Sequence, residues 1–168
     1  MLRLFVLVIV LIGGVSSCVP YKDRLEKRLL MHRIVNENRQ NFEDRGISVY
    51  DTDVSYSPRQ FHSFSQRGVS GRHTFHSVQE ARTFFLDVHN DAKRTFHTKR
   101  NLGVSFFHNF FPTSDRAIEL DITFSKRKGG SISRIRTIGG RIYYYRWNPD
   151  KERSEYFFSE SVKKARKK

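Results

Sequence analysis

Ile118, Leu120, Ile122 and Phe124 alternate with Glu119, Asp121, Thr123 and Ser125. A period of two places these sets on opposite sides of a pleated strand, which predicts an antiparallel strand with one buried and one wet face. Lys128-Gly129-Gly130 predicts a turn into a second strand over Ser131 to Ile138. Gly139-Gly140 supplies the positive φ angles of a tight hairpin into Arg141 to Trp147. Asn148-Pro149-Asp150 predicts another turn, leading to a strand over Glu155 to Ser159. Earlier in the chain, Ile47 to Tyr56 alternates as a strand, with Tyr50, Thr52, Val54 and Tyr56 expected on one face.

Two stretches change period. Val78, Ala81, Phe85, Val88, Ala92 and Phe96 follow at spacings of three and four, and Ser77-Val78-Gln79-Glu80 before them is a capping box. This predicts a core helix from Ser77. Tyr21 to Arg45 holds no Gly or Pro and is followed by Gly46, which predicts a first helix with a modest stripe of Leu25, Leu29, Leu30, Ile34 and Val35. Ser57 to Thr74, rich in Ser, Gly, Arg and His, predicts a long loop. The expectation is an α+β fold: two helices packed on an antiparallel β-sheet that ends in a C-terminal meander, with one domain over residues 22–160 and a disordered basic tail over 161–168.

The chain of 168 residues has a formal net charge of +14, an excess that predicts attraction to polyanions such as anionic lipid, envelope glycan or nucleic acid. It concentrates at Lys126, Arg127 and Lys128 and at Lys163, Lys164, Arg166, Lys167 and Lys168, the candidate residues for an anionic surface. Arg141 to Trp147 interleaves basic and aromatic residues, a combination that stacks bases on an exposed sheet face, or else buries alternate tyrosines and leaves arginine in water.

Catalytic chemistry is harder to find. His62, His73 and His76 are the candidate metal ligands, within or beside the expected loop, but that loop offers them no cysteine or carboxylate partner. Four of the seven histidines follow a phenylalanine, which suits a buried ring beside an exposed neighbour. Asp51 with Asp53, and Glu119 with Asp121, fit the polar faces of half-buried strands. The second pair is expected across the hairpin from Arg134 and Arg136. There is no G-x-S-x-G elbow and no phosphate-cradling loop, and no cofactor is implied.

The sequence begins with Arg3, an apolar run from Leu4 to Ile12, and small residues leading to Cys18, the only cysteine. Val15-Ser16-Ser17-Cys18 resembles the lipobox of bacterial lipoproteins, with Val15 where the family more often has leucine. The resemblance implies a signal peptide over residues 1–17, diacylglycerol on the Cys18 thiol, cleavage before Cys18, acylation of the new N-terminus, and a short linker over 18–21. It places the domain on an envelope membrane, inner or outer, facing an extracytoplasmic compartment. The expected role is then a non-catalytic binding or scaffold domain, with an envelope protein as a further candidate partner. The alternatives are an envelope hydrolase or metal-binding protein using Ser57 to His76, and a nucleic-acid-binding module.

Overall fold

The computed structural model describes residues 21–56, 61–100 and 114–167. The first helix, α1, spans Tyr21–Asp44 and stops at Gly46, whose φ of 72° lies in the left-handed region. There the Gly46 amide donates to the Glu43 carbonyl at 2.8 Å. The chain divides into two compact units, Met1–His32 and Arg33–Lys168, with the boundary inside α1. In the first unit Leu25 and Leu29 of the expected stripe are exposed. In the second, Ile34, Asn38 and Phe42 form a buried line at helical spacing.

Strand β1 spans Ile47–Tyr56 and pairs antiparallel with β2, Phe61–Ser70. The loop expected over Ser57 to Thr74 is therefore mostly strand; residues 57–60 lie outside the described residues. On β2, Phe64, Gln66, Gly68 and Ser70 are buried and alternate with more exposed Ser65, Arg67 and Val69. A Cβ on Gly68 would stand 2.5 Å from Ile47 Cγ2 and 3.0 Å from the Ser48 carbonyl oxygen, so glycine is what lets β1 lie this close. A register shift between Val49 and Asp51 marks a bulge at Tyr50. The bulge breaks the expected common face: Tyr50 is 61% exposed.

Helix α2 spans Val78–Arg100, and Ser77 Oγ accepts from the Glu80 amide at 3.2 Å, the hydroxyl half of the capping box. Ala81, Phe85, Val88, Ala92 and Phe96 are buried along one face. The Phe96 ring stands edge-on to Phe61 and Phe64, each 5.2 Å away. Asn41 Nδ2 donates to Thr95 Oγ1 at 3.2 Å and Arg45 pairs with Asp91, which fastens the second half of α1 to α2.

A 3₁₀ turn over Asp115–Ala117 leads into β3 (Ile118–Phe124), β4 (Ile132–Ile138), β5 (Arg141–Asn148) and β6 (Arg153–Ser161). The six strands lie in sequence order across one sheet. β2 and β3 run parallel and every other neighbouring pair is antiparallel, so the sheet is mixed rather than wholly antiparallel. Parallel neighbours need a crossover, and α2 lies in the connection between them. The fold is α+β, with the expected hairpins over β3 to β6.

The terminal segment departs from the tail expected of it. Val162–Ala165 forms a short helix, α3, with Val162 and Ala165 buried and Ser161 Oγ accepting from the Lys164 amide at 3.2 Å. Arg166 then donates to Asp115 at 2.8 and 3.1 Å and to Asn90 Oδ1 at 3.1 Å. Two small apolar contacts and one well-paired arginine dock this end of the chain.

Candidate functional site

Alternate residues of the central strands point away from the buried set and form a second face of arginine, tyrosine and acid. Asp121, 5% exposed, accepts from Arg134 Nε at 2.7 Å and lies 3.6 Å from Arg136 Nε. This is the cross-strand pairing expected of it; Glu119 makes no ion pair with either arginine among the described residues. The Arg134 guanidinium lies 5.6 Å from the Tyr145 ring centroid, and Tyr156 packs edge-on to Tyr145 at 6.2 Å. Arg141 Nη2 donates to Ser159 Oγ at 3.1 Å. The Arg141 to Trp147 stretch thus divides its tyrosines: Tyr144 is buried with Ile142, while Tyr143 and Tyr145 share the second face with Arg141.

The two basic clusters are far apart. Lys126, Arg127 and Lys128 are exposed in the connection after β3, where the Arg127 guanidinium sits 4.5 Å from the Trp147 ring centroid. Lys163, Lys164 and Lys167 are exposed beside Arg166, which holds Asp115 just before β3 begins. A seven-residue strand separates these ends by about 20 Å, so they form two patches. Lys168 and Cys18 lie outside the described residues.

The histidine candidates do not converge on a metal geometry. His62 and His76 are exposed. His73 packs 4.4 Å from the Phe84 ring and 5.8 Å from the Phe75 ring, with Nδ1 2.8 Å from Ser70 Oγ; burial first, and then Arg72, lower its pKa. Among the described residues no group of three His, Cys, Asp or Glu is placed to hold a metal ion. Of the acidic pairs, Asp51 is 3.3 Å from Arg67 at an exposed position, and Asp121 is taken up by its arginines. No described helix is long and apolar enough to cross a membrane.

Sequence reasoning missed His89, which nothing distinguishes locally from a polar helix residue. It is fully buried; Arg166 Nη2 lies 3.4 Å from Nδ1, and Nε2 has no partner among the described residues. An arginine only donates, so Nδ1 accepts and the buried N–H is on Nε2. Burial lowers the His89 pKa from 6.5 to about 4; Asp115 opposes the shift while Arg166 and Lys93 reinforce it. Between those values the unfolded chain binds more protons, so stability is complete above the unfolded value and falls as the pH drops toward the folded one. Unfolding free energy should therefore decline by up to about 3 kcal/mol over that window. Asp115 extends the loss to lower pH: burial opposes but Arg166 and Lys93 outweigh it, depressing its pKa. Urea unfolding of wild type and His89→Leu at about pH 7 and about pH 4.5 measures this, and equal slopes in both proteins would refute it.

Compared with known proteins, the chain matches no family model, no curated protein and no solved structure.

Proposed function

We propose that the chain is a bacterial lipoprotein, anchored through Cys18, whose folded domain is a non-catalytic module held against an anionic surface of the envelope. One observation supports the second half of this reading most directly. Many acidic groups are already committed: Asp91 to Arg45 and Arg94, Asp115 to Lys93 and Arg166, Asp121 to Arg134 and Arg136, and Glu160 to Arg82. Glu155 is held by Asn148, Lys151 and Arg153, which lower its pKa to about 2. Lys126, Arg127, Lys128, Lys163, Lys164 and Lys167 are left exposed, with no carboxylate partner among the described residues. Each such charge near an anionic membrane contributes about 1 kcal/mol.

The anchor and the charge are tested separately. Cys18→Ala should accumulate as an unprocessed, unlabelled precursor, and an unmodified thiol in mature protein would remove the lipoprotein reading. Val19–Lys168 should bind anionic vesicles in preference to neutral ones. The preference should fade as added salt shortens the Debye length from about 10 Å at 0.1 M to about 3 Å at 1 M. Gln at Lys126, Arg127 and Lys128 and, separately, at Lys163, Lys164 and Lys167 should each weaken it. Arg166 stays in place because it docks the C-terminus. Equal binding to both vesicle types removes the anionic-membrane reading.

A further inference from the structure

A cavity of about 580 Å³ opens where three separate parts of the chain meet at the start of β3. The Ser114–Arg116 turn forms one wall, the Gly139-Gly140 hairpin a second, and Ser161 and Lys163 at the beginning of α3 a third. The hairpin glycines have φ of 57° and 82°, and nothing stands within 4 Å of a Cβ built on Gly139. A Cβ on Gly140 would approach Arg116 Cγ to 3.2 Å, so the bare turn lets the arginine stem lie against it. Arg116, Arg141 and Lys163 bring three cations to this space. The acid on the wall, Asp115, does not neutralise them, since its carboxylate is bonded by Lys93 at 3.0 Å and by Arg166 at 2.8 Å.

We propose that this cavity binds a phosphate monoester. Such a group carries a charge of about −1.5 to −2 at neutral pH and three acceptor oxygens, which suits three cations without a carboxylate partner among the described residues better than a single carboxylate would. Arginine meets phosphate with paired N–H donors, and Arg141 keeps most of its donors after the one bond to Ser159. The Ser114 and Ser161 hydroxyls each accept one backbone N–H, from Arg116 and Lys164, which leaves both O–H groups free to donate. The volume exceeds what a bare ion needs and falls in the range of about 300–1,000 Å³ usual for small-molecule sites, so the phosphate carries an organic group. The site shares Lys163 with the membrane reading but not the Lys126–Lys128 patch, which lies at the far end of β3.

The test titrates the full chain, in a nonionic detergent, with inorganic phosphate and with glycerol 3-phosphate at constant ionic strength. Saturable binding is expected, with amide shifts concentrated at Gly139, Gly140 and Ser161. Arg116→Gln with Arg141→Gln should weaken it at least about tenfold, whereas Gln at Lys126, Arg127 and Lys128 should leave it unchanged. Both arginines are exposed, so the fold should survive; Lys163→Gln, also at an exposed position, gives a second variant with the same direction of effect. Phosphatidylcholine nanodiscs containing phosphatidic acid distinguish the sources. The same amide shifts there identify a lipid headgroup, and shifts confined to glycerol 3-phosphate identify a soluble ester. Absence of saturation, or affinity that ignores the arginine changes in a folded protein, overturns the proposal, whatever the vesicle experiments show.

Discussion

Glu160→Ala should lower the unfolding free energy by about 3–5 kcal/mol. The Glu160 carboxylate on β6 accepts from Arg82 Nε of α2 at 2.6 Å and from Tyr144 Oη of the neighbouring β5 at 3.1 Å. The two charged side chains are 8% and 1% exposed, and Arg82 also donates to Gln79. Removing the acid leaves a buried guanidinium without its counter-charge and a buried phenol without its acceptor, and both costs fall on the folded state alone. Burial, and after it the Glu160 charge, already raise the Tyr144 pKa, so the ring stays a neutral donor across the working pH range. Removing both charges together, as Arg82→Met with Glu160→Leu, should recover much of the loss, because apolar groups of similar size need no partner. Urea unfolding measures both variants, and hydrogen exchange should locate the weakening in β6, the edge strand that this contact ties to the helix. A loss below about 1 kcal/mol for Glu160→Ala would mean that water already reaches the pair.

The hairpins over β3 to β6 were legible because three cues agreed: strict alternation, glycine pairs and a proline turn. α2 was legible for the same reason, its stripe and its serine cap coinciding. β2 was not. Beyond Phe64 its inward residues are Gln66, Gly68 and Ser70, so most of the buried face carries no hydropathy, and glycine is required at 68 because β1 comes so close. Losing β2 also hid the parallel pair, since Phe64 to Ser70 is the strand beside which β3 lies once the chain has crossed through α2. The docked terminus was masked by its lysines: Val162 and Ala165 are the buried residues of α3, too short a pattern to read, and the Arg166 pairing with Asp115 is set by the fold. The basic clusters were visible as runs, but their separation to opposite ends of β3 is a property of topology. The cavity is a stronger case, since Arg116, Arg141 and Lys163 stand more than twenty residues apart and only the order of the strands brings them together.

Phe85→Ala should cost about 3–5 kcal/mol and Leu120→Ala about 2–5 kcal/mol, if the stripe of α2 and the inner face of the meander share one core. Both side chains are 0% exposed. Phe85 sits about two turns into a helix of 23 residues, where the backbone cannot shift inward without disturbing Ala81, Val88 and Ala92, which are buried on the same face. Leu120 lies on β3 between β2 and β4, at the register position of Gln66 on the parallel side. A strand bonded on both sides collapses little into a void, so each truncation leaves most of its cavity open and adds the lost contacts to the transfer cost. His76→Ala, at an exposed position ahead of α2, is the matched control and should stay within about 0.5 kcal/mol of the parent. Urea unfolding of the three variants supplies the comparison. Losses below about 0.5 kcal/mol for Phe85→Ala or Leu120→Ala would show that α2 and the meander do not bury these faces against a common core.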